Sequence, residues 1–362
     1  MAKKPQQRNE TSAARARSLV LALGWNSTAF QIVNPGIDRW FPPEGDAGIG
    51  YVLANKSRIV VGAPVCPKDR LGEVAAAFEA EAKRVGELVC YFGAERRLES
   101  LFTDSPNHTR FLLGAQPSWD LKDWASLVSS HRSLRSQLNR ARNKGLTVDE
   151  WPISRAHRHP ELERCLRDWL ASKGLPPLHF MVESDTLARL EGRRVFVAEM
   201  SGIVQGFVVL SPVVLRNGWL FEQFPHRPGA PNGTVESMID AAMTALARDG
   251  YEYATLGLSP LSIRADVGRT NDPLWLRLLL AWLRKHGQRF YNFDGLDRFK
   301  AKLHPEKWEP VFAVSTEPRV SFRTIYAIAS AFSGSGPIRL VVGGLAKAVA
   351  TEIRWLKRHL LK

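Results

Sequence analysis

The sequence is poor in the features that announce common functions. Among its 362 residues there are three cysteines, Cys66, Cys90 and Cys165, far apart and without a histidine cluster nearby. That spacing excludes a disulfide framework and a cysteine-based zinc site. Each thiol reads instead as a small buried apolar side chain, and a reducing cytoplasm fits. The nine histidines show no metal spacing. No apolar run reaches the roughly 18 residues that cross a bilayer. The apolar stretch at 19–25 is short and leads into Asn26 and Ser27, so the basic residues 1–17 are expected to be a disordered lead rather than a cleaved signal. There is no Walker loop, dinucleotide glycine fingerprint, zinc-protease helix or nucleophile elbow. Neither a cofactor nor a metal is expected.

Positive charge is abundant. Fifty Lys and Arg against 36 Asp and Glu give a net charge of +14. Such a surface attracts polyanions, whether nucleic acid, anionic lipid or a phosphate-bearing substrate, and the charge alone does not choose among them. With 44% hydrophobic and 24% charged residues, the chain has a globular balance and enough length for two domains.

Hydrophobic periodicity predicts strands at 49–53 and 58–61, joined by a turn at Asn55-Lys56-Ser57. A helix follows at 70–85, with apolar positions Leu71, Val74, Ala75, Phe78, Ala82 and Val85, and then a buried strand at 88–92. The order returns in strands at 194–200, 204–210 and 219–224, a helix from Gly233 through Leu246, and a strand at 253–258. A repeated strand-strand-helix-strand order suggests tandem units of one kind. Between them, residues 130–145 read as a basic helix stopped by Gly145, crowded with Arg132, Arg135, Arg140, Arg142 and Lys144. Such a helix is either a solvated face or a ridge for phosphates of RNA or lipid headgroups. Near the C-terminus, Leu345, Val349, Ile353, Leu356 and Leu360 fall on one helical face, with Lys347, Arg354, Arg358 and Lys362 largely off it. That helix suits either packing on its own domain or an anionic membrane surface.

Two segments hold unusual residues. In 222–236 a strand ends in Glu222, a Pro- and Gly-rich loop follows, and a helix starts near Asn232-Gly233-Thr234. Asn232 or Thr234 is positioned to cap that helix, and the free N–H groups of its first turn suit an anion. In 290–312 the aromatics Tyr291, Phe293, Phe299 and Trp308 are interspersed with Arg298, Lys300 and Lys302. As a helical turn this segment places Arg298 and Lys302 on one face; as extended chain it aligns all three cations. Its chemistry is phosphate binding or oxyanion stabilisation, or else simple packing under a charged surface.

These segments carry a resemblance. Tyr291-x-Phe293-x-Gly295-Leu296-x-Arg298-Phe299-Lys300-x-Lys302, followed by Trp308-Glu309-Pro310, resembles the signature closing the catalytic domain of the phosphatidylglycerol lysyltransferases. Ala230-Pro231-Asn232-Gly233-Thr234 with Glu236, and Leu256-Gly257-Leu258-Ser259-Pro260-Leu261, are similar to two further motifs of that family. Fainter matches are Gly24-x-Asn26-Ser27, Val61-Gly62-Ala63-Pro64 and the basic helix; all occur in the family's order across roughly 20–315. The sequence departs from the pattern where the family has Asp in place of Glu222 and Arg in place of Pro225.

The resemblance implies an α/β (α+β) fold of tandem GNAT (acetyltransferase-like) domains, with mixed sheets flanked by helices. The expected division is a first unit at 18–125, a basic linking helix at 126–148, a second, catalytic unit at 149–318 and a basic amphipathic helical tail at 319–362. It implies transfer of an aminoacyl group from aminoacyl-tRNA to the hydroxyl of phosphatidylglycerol, by a cytoplasmic protein bound peripherally at the inner membrane face. Glu222 and Lys300 would be catalytic, with Asn232, Thr234, Glu236, Ser259, Arg298 and Lys302 lining the same cleft. The five cations of the basic helix would hold nucleic acid or headgroups, and the four of the tail the membrane. A GNAT-fold N-acyltransferase using acyl-CoA or acyl carrier protein, and a non-catalytic RNA- or membrane-binding protein, remain as alternatives.

Overall fold

The computed structural model describes residues 5–172, 180, 186–265, 273–286 and 292–333. Strands β1 (Asp38–Trp40), β2 (Ile49–Ala54), β3 (Ser57–Val61), β4 (Leu88–Ala94) and β5 (Thr109–Asp120) belong to the first half of the chain. The second half supplies β6 (Leu146–Trp151), β7 (Arg194–Met200), β8 (Ile203–Val213), β9 (Gly218–Gln223), β10 (Tyr253–Thr255), β11 (Ser259–Pro260) and β12 (Lys307–Ser315). The local signals work as expected. The β2–β3 hairpin turns through Asn55 and Lys56 at φ 50° and 53°, and the β7–β8 hairpin through Ser201 and Gly202 at 52° and 76°. Positive φ at both turn residues matches the twist of the flanking strands. Helix Leu71–Arg84 buries Leu71, Val74, Ala75, Phe78 and Ala82, the stripe its 3.6-residue spacing predicts.

Each half builds the expected unit. A helix crosses from β3 to β4, which pair in parallel, and helix Thr234–Arg248 crosses from β9 to the parallel β10. The units do not form separate sheets. The described strands run β1-β2-β3-β4-β12-β5-β10-β9-β8-β7-β6 in one sheet, with β11 beside β5. The closing strands are exchanged: β5, next in sequence after β4, lies against β10, while β12 from the second half lies between β4 and β5. The α/β class with helices flanking a mixed sheet is as the sequence implies. The boundary expected at 318 is not: β12 belongs spatially to the first unit, because its antiparallel partners are β4 and β5.

Helices cover both faces of each half. Helix Leu71–Arg84 and helix Thr234–Arg248 cover one face of their respective halves, and helix Pro160–Ser172 covers the other face of the second. The other face of the first half holds two corrections. The lead expected to be disordered is largely helix, Pro5–Leu23, with Ala13, Ala16 and Val20 buried against the core. Its alanines favour helix and let the backbone approach closely, a signal that polar composition masks. The segment expected to open a tail contains helix Phe322–Ser333, whose Ala327 and Ala331 pack into the same core. The remainder, with Lys347, Arg354, Arg358 and Lys362, lies outside the described residues. The basic helix is Arg132–Asn143; it buries Leu134, Leu138 and Ala141, packs on helix Thr234–Arg248 and is followed by Gly145 at φ 81°. No helix among the described residues is long and apolar enough to cross a membrane.

Candidate active site

The second half opens where the first stays closed. β9 and β10 pair only from Gly218↔Tyr253 to Leu220↔Thr255, although β9 continues to Gln223. Beyond Thr255 the chain turns at Gly257, φ 67°, and rejoins the sheet as β11 against Gly114 and Ala115 of β5. The carbonyls of Gly257 and Leu258 are thereby taken off the ladder. Both are met by one side chain: Lys300 Nζ donates to Gly257 O at 2.8 Å and to Leu258 O at 3.0 Å.

Lys300 reaches this position from helix Phe293–Ala301, capped by Asn292 Oδ1 accepting from the Gly295 N–H at 2.8 Å. It is 3% exposed. Burial pushes the ammonium down to about 7, against the partial opposition of Asp297, itself paired with Arg264 at 2.7 Å. An amine near neutrality has direct chemical consequences. Its neutral form has two N–H groups, one for each carbonyl, and keeps a lone pair able to take a proton. Ser259, beside this turn, is fully buried and its Oγ has no hydrogen-bond partner among the described residues.

Glu222 stands at the end of β9. Continuing the parallel register two residues past Leu220↔Thr255 sets it level with Gly257, although no bond joins Glu222 to Lys300. Its Oε1 accepts from Arg193 Nε at 2.8 Å. Arg193 is buried, donates also to Arg189 O and to Asn34 Oδ1 of the first half, and lies 4.9 Å over the Phe30 ring. The carboxylate is thus part of the seam between the halves and already neutralised by a cation of its own chain.

Other expected site residues are dispersed. The N-cap of helix Thr234–Arg248 is Gly233, at φ 95°, without a side-chain cap bond. Thr234 Oγ1 turns back to Pro231 O at 2.7 Å, so neither Asn232 nor Thr234 caps this helix. Gly233 is required: a Cβ there would lie 2.6 Å from Gln137 O of the basic helix. Asn232 is exposed and Glu236 half-buried. Helix Phe293–Ala301 places Arg298 and Lys302 on the solvent side, opposite Lys300, so the three cations do not share one cleft. Arg132, Arg135, Arg140, Arg142 and Lys144 are all exposed. Arg227 pairs with Glu161 at 2.5 Å, away from Glu222.

Residues 17–315 match the family model described as phosphatidylglycerol lysyltransferase, C-terminal. The chain belongs to that family. It is 24% identical over 272 residues to the phosphatidylglycerol lysyltransferase of Staphylococcus xylosus, covering 74% of this chain and 31% of that protein. The chain therefore spans about a third of the length of the curated relatives it matches. Among solved structures, the C-terminal domain ascribed to a lysylphosphatidylglycerol synthetase of Agrobacterium fabrum superposes with a TM-score of 0.76 at 24% identity, covering 90% of this chain and 98% of that one. L-PGS from Bacillus licheniformis gives 0.70 at 20% identity, covering 92% and 95%. These structures share the fold.

Several family-motif residues meet at the opposite, N-terminal end of β9 and β10. Arg216 contacts Glu95 at 3.2 Å, donates to Glu309 from both arms and lies 3.7 Å over the Tyr253 ring. Glu309 also accepts from Gln116 at 3.0 Å and Ser118 at 3.2 Å, while Glu95 accepts from the Ser27 N–H at 2.7 Å. Burial raises the Glu95 carboxyl against the pull of Arg216. Burial also acts to raise Glu309, but its hydrogen bonds and the Arg216 charge outweigh it and leave that carboxyl lowered. A cavity of about 360 Å³ lies over this network, lined by Trp25, Arg97 and Pro310 among others. Ligands of parallel α/β units bind beyond the carboxyl ends of the strands, which favours the Lys300 end as the reaction site and this network as the seam. Sequence reasoning missed Arg193 and Arg216. Ser27 and Glu309 lie inside the family-like motifs, but no local pattern links them to an arginine at a strand turn.

Proposed function

We propose that this chain is an aminoacyltransferase that moves the aminoacyl group of an aminoacyl-tRNA onto the glycerol hydroxyl of phosphatidylglycerol. Family membership supports the reaction class, and the named relatives support the lipid. The observation that carries the mechanism is Lys300, a buried amine near neutrality at the divergence of β9 and β10. An aminoacyl ester is already activated, so the enzyme must align a hydroxyl, take its proton and steady the oxyanion. The Lys300 lone pair accepts the hydroxyl proton as the lipid oxygen bonds to the ester carbonyl carbon. Collapse of the tetrahedral intermediate breaks the bond to the tRNA ribose oxygen, and the Lys300 ammonium returns the proton to that oxygen. One ester replaces another and no cofactor is consumed.

Glu222, with Oε1 occupied by Arg193, serves in this reading to receive the donor's amino group through Oε2 rather than as the base. Ser259 Oγ, buried beside the same turn and without a hydrogen-bond partner among the described residues, would donate to the carbonyl oxygen. Asn232, Thr234 and Glu236, at the start of the helix that follows β9, would position substrate. The exposed Arg132, Arg135, Arg140, Arg142 and Lys144 suit a tRNA backbone, and Arg298 with Lys302 the lipid phosphate. The site of action is the cytoplasmic face of the inner membrane. The test supplies purified protein and phosphatidylglycerol vesicles with labelled aminoacyl-tRNA or labelled acyl-CoA. Label reaching the lipid from charged tRNA is expected; label moving only from acyl-CoA would overturn the assignment.

A further inference from the structure

Helix Leu274–His286, which precedes the Lys300 helix, has the sequence LWLRLLLAWLRKH and contains no acidic residue. Its inner face is accounted for: Leu276 is buried in the first-half core, and Trp275 and Leu280 pack against it. Its outer face is apolar as well. Leu274, Leu278 and Trp282, spaced i, i+4 and i+8, are 68%, 61% and 55% exposed. At 100° per residue they form one stripe on the solvent side. The stripe does not end with its helix. Trp275 stacks on Phe322 at 4.3 Å, and Phe322 opens helix Phe322–Ser333, which also lacks acidic residues. Phe322 is 71% exposed, and Tyr326 one turn later is exposed too. The patch thus crosses two adjacent helices, with the exposed cations Arg277 and Arg323 beside it.

Isolated exposed hydrophobics need no explanation, but a contiguous aromatic and leucine patch does. We propose that this two-helix face docks on an anionic lipid bilayer, with Leu274, Leu278, Trp282 and Phe322 in the acyl boundary and Arg277 and Arg323 at the headgroups. Charge complementarity selects this occupant: two helices without a carboxylate, on a chain of net charge +14, face an anionic surface. Trp and Tyr at the margin are the side chains that partition to that depth. A second copy of the chain would bring like charges together across a two-fold contact. The inference rests on the reading of a membrane lipid as acceptor, and it assigns the docking to residues other than those of the C-terminal segment 334–362.

The test compares the full chain, L278E/W282E, L278S/W282S and a chain ending at residue 333. Each is sedimented with phosphatidylglycerol–phosphatidylcholine vesicles and with pure phosphatidylcholine vesicles. Both double variants are expected to bind the anionic vesicles at least about tenfold more weakly, with unchanged thermal midpoints and unchanged turnover on dispersed short-chain phosphatidylglycerol. The shortened chain is expected to remain vesicle-bound. Wild-type binding by the folded double variants would overturn the proposal. So would loss of binding on removal of 334–362 alone, or a dimer in sedimentation velocity that the double substitution dissociates. If the full chain binds vesicles through this face but transfers no aminoacyl group, the docking stands and the assigned reaction falls.

Discussion

The two halves repeat one unit and finish it differently. In the first, β3 and β4 pair in parallel from Ser57↔Leu88 to Val61↔Phe92, and Gly62 extends the ladder by donating to Phe92 O at 2.8 Å. The space beyond is filled by Asn26, whose Nδ2 donates to Gly93 O at 3.1 Å while its Oδ1 accepts from Thr28. A Cβ on Gly62 would lie 2.6 Å from Asn26 Oδ1, so the plug is tight. In the second half the ladder stops after Leu220↔Thr255, and the displaced carbonyls are met by Lys300. One half is closed by an amide that cannot titrate, the other by an amine that burial brings close to neutrality. The same architecture is closed by a fixed amide in one half and by a buried lysine in the other, and the proposed reaction gives that lysine the proton.

The largest expected effect breaks the second plug. Lys300→Ala should lower kcat by about 10²- to 10⁴-fold, the usual worth of a general base. Lys300→Arg should not restore it, because a guanidinium keeps its proton. Single-turnover transfer, with circular dichroism to confirm folding, measures both. The wild-type rate should rise with pH through about 7 and level off above it. Stability should follow the same group. Its folded value near 7 lies below the usual 10.5, so the unfolded chain holds the extra proton between those limits. The penalty of burying Lys300 is therefore full below pH 7 and fades as pH rises toward 10.5. Lys300→Met should flatten that slope in denaturant titrations.

A second change strikes the seam both halves share. Arg216→Ala leaves Glu95 and Glu309 without their cation and should cost about 2–3 kcal/mol, less than a fully buried pair because Arg216 is partly exposed. Chemical denaturation measures this, and a neutral outcome would make the network ornamental to stability. Asn26→Ala removes the first plug and strands Gly93 O; about 1–2 kcal/mol is expected. Its kcat should remain near wild type once folded, and a Lys300-sized loss of kcat would erase the contrast between the halves. The smallest effect concerns the basic helix. Arg140→Ala and Arg142→Ala should each reduce the salt slope of tRNA binding by about 1 without changing kcat.

Much of each unit was legible locally. The short apolar runs of β2 and β7, the positive-φ turn residues and the apolar stripe of helix Leu71–Arg84 all act within a few residues, which is the range over which sequence pattern speaks. Lys300 was legible through the motif around it, but its surroundings were not. Helical spacing separates Lys300 from Arg298 and Lys302, but nothing near Phe299 or Ala301 tells that the segment is helical or that Lys300 is the one to turn inward; the packing of helix Phe293–Ala301 against the turn after β10 sets that. Glu222 was read as free to act because the sequence could not show Arg193 beside it.

By itself, the sequence determined two strand-strand-helix-strand units, a basic surface and a family membership written in short ordered motifs. Only tertiary structure decided that the units exchange their closing strands, that one parallel pair stays zipped while the other parts, and that the lead and helix Phe322–Ser333 complete the first core. The reason is range. Dihedral preference and side-chain period are properties of neighbours along the chain, whereas the charge beside Glu222 comes from 29 positions away, the carbonyls that meet Lys300 from 43 and 42, and the partner of β12 from the other half of the chain.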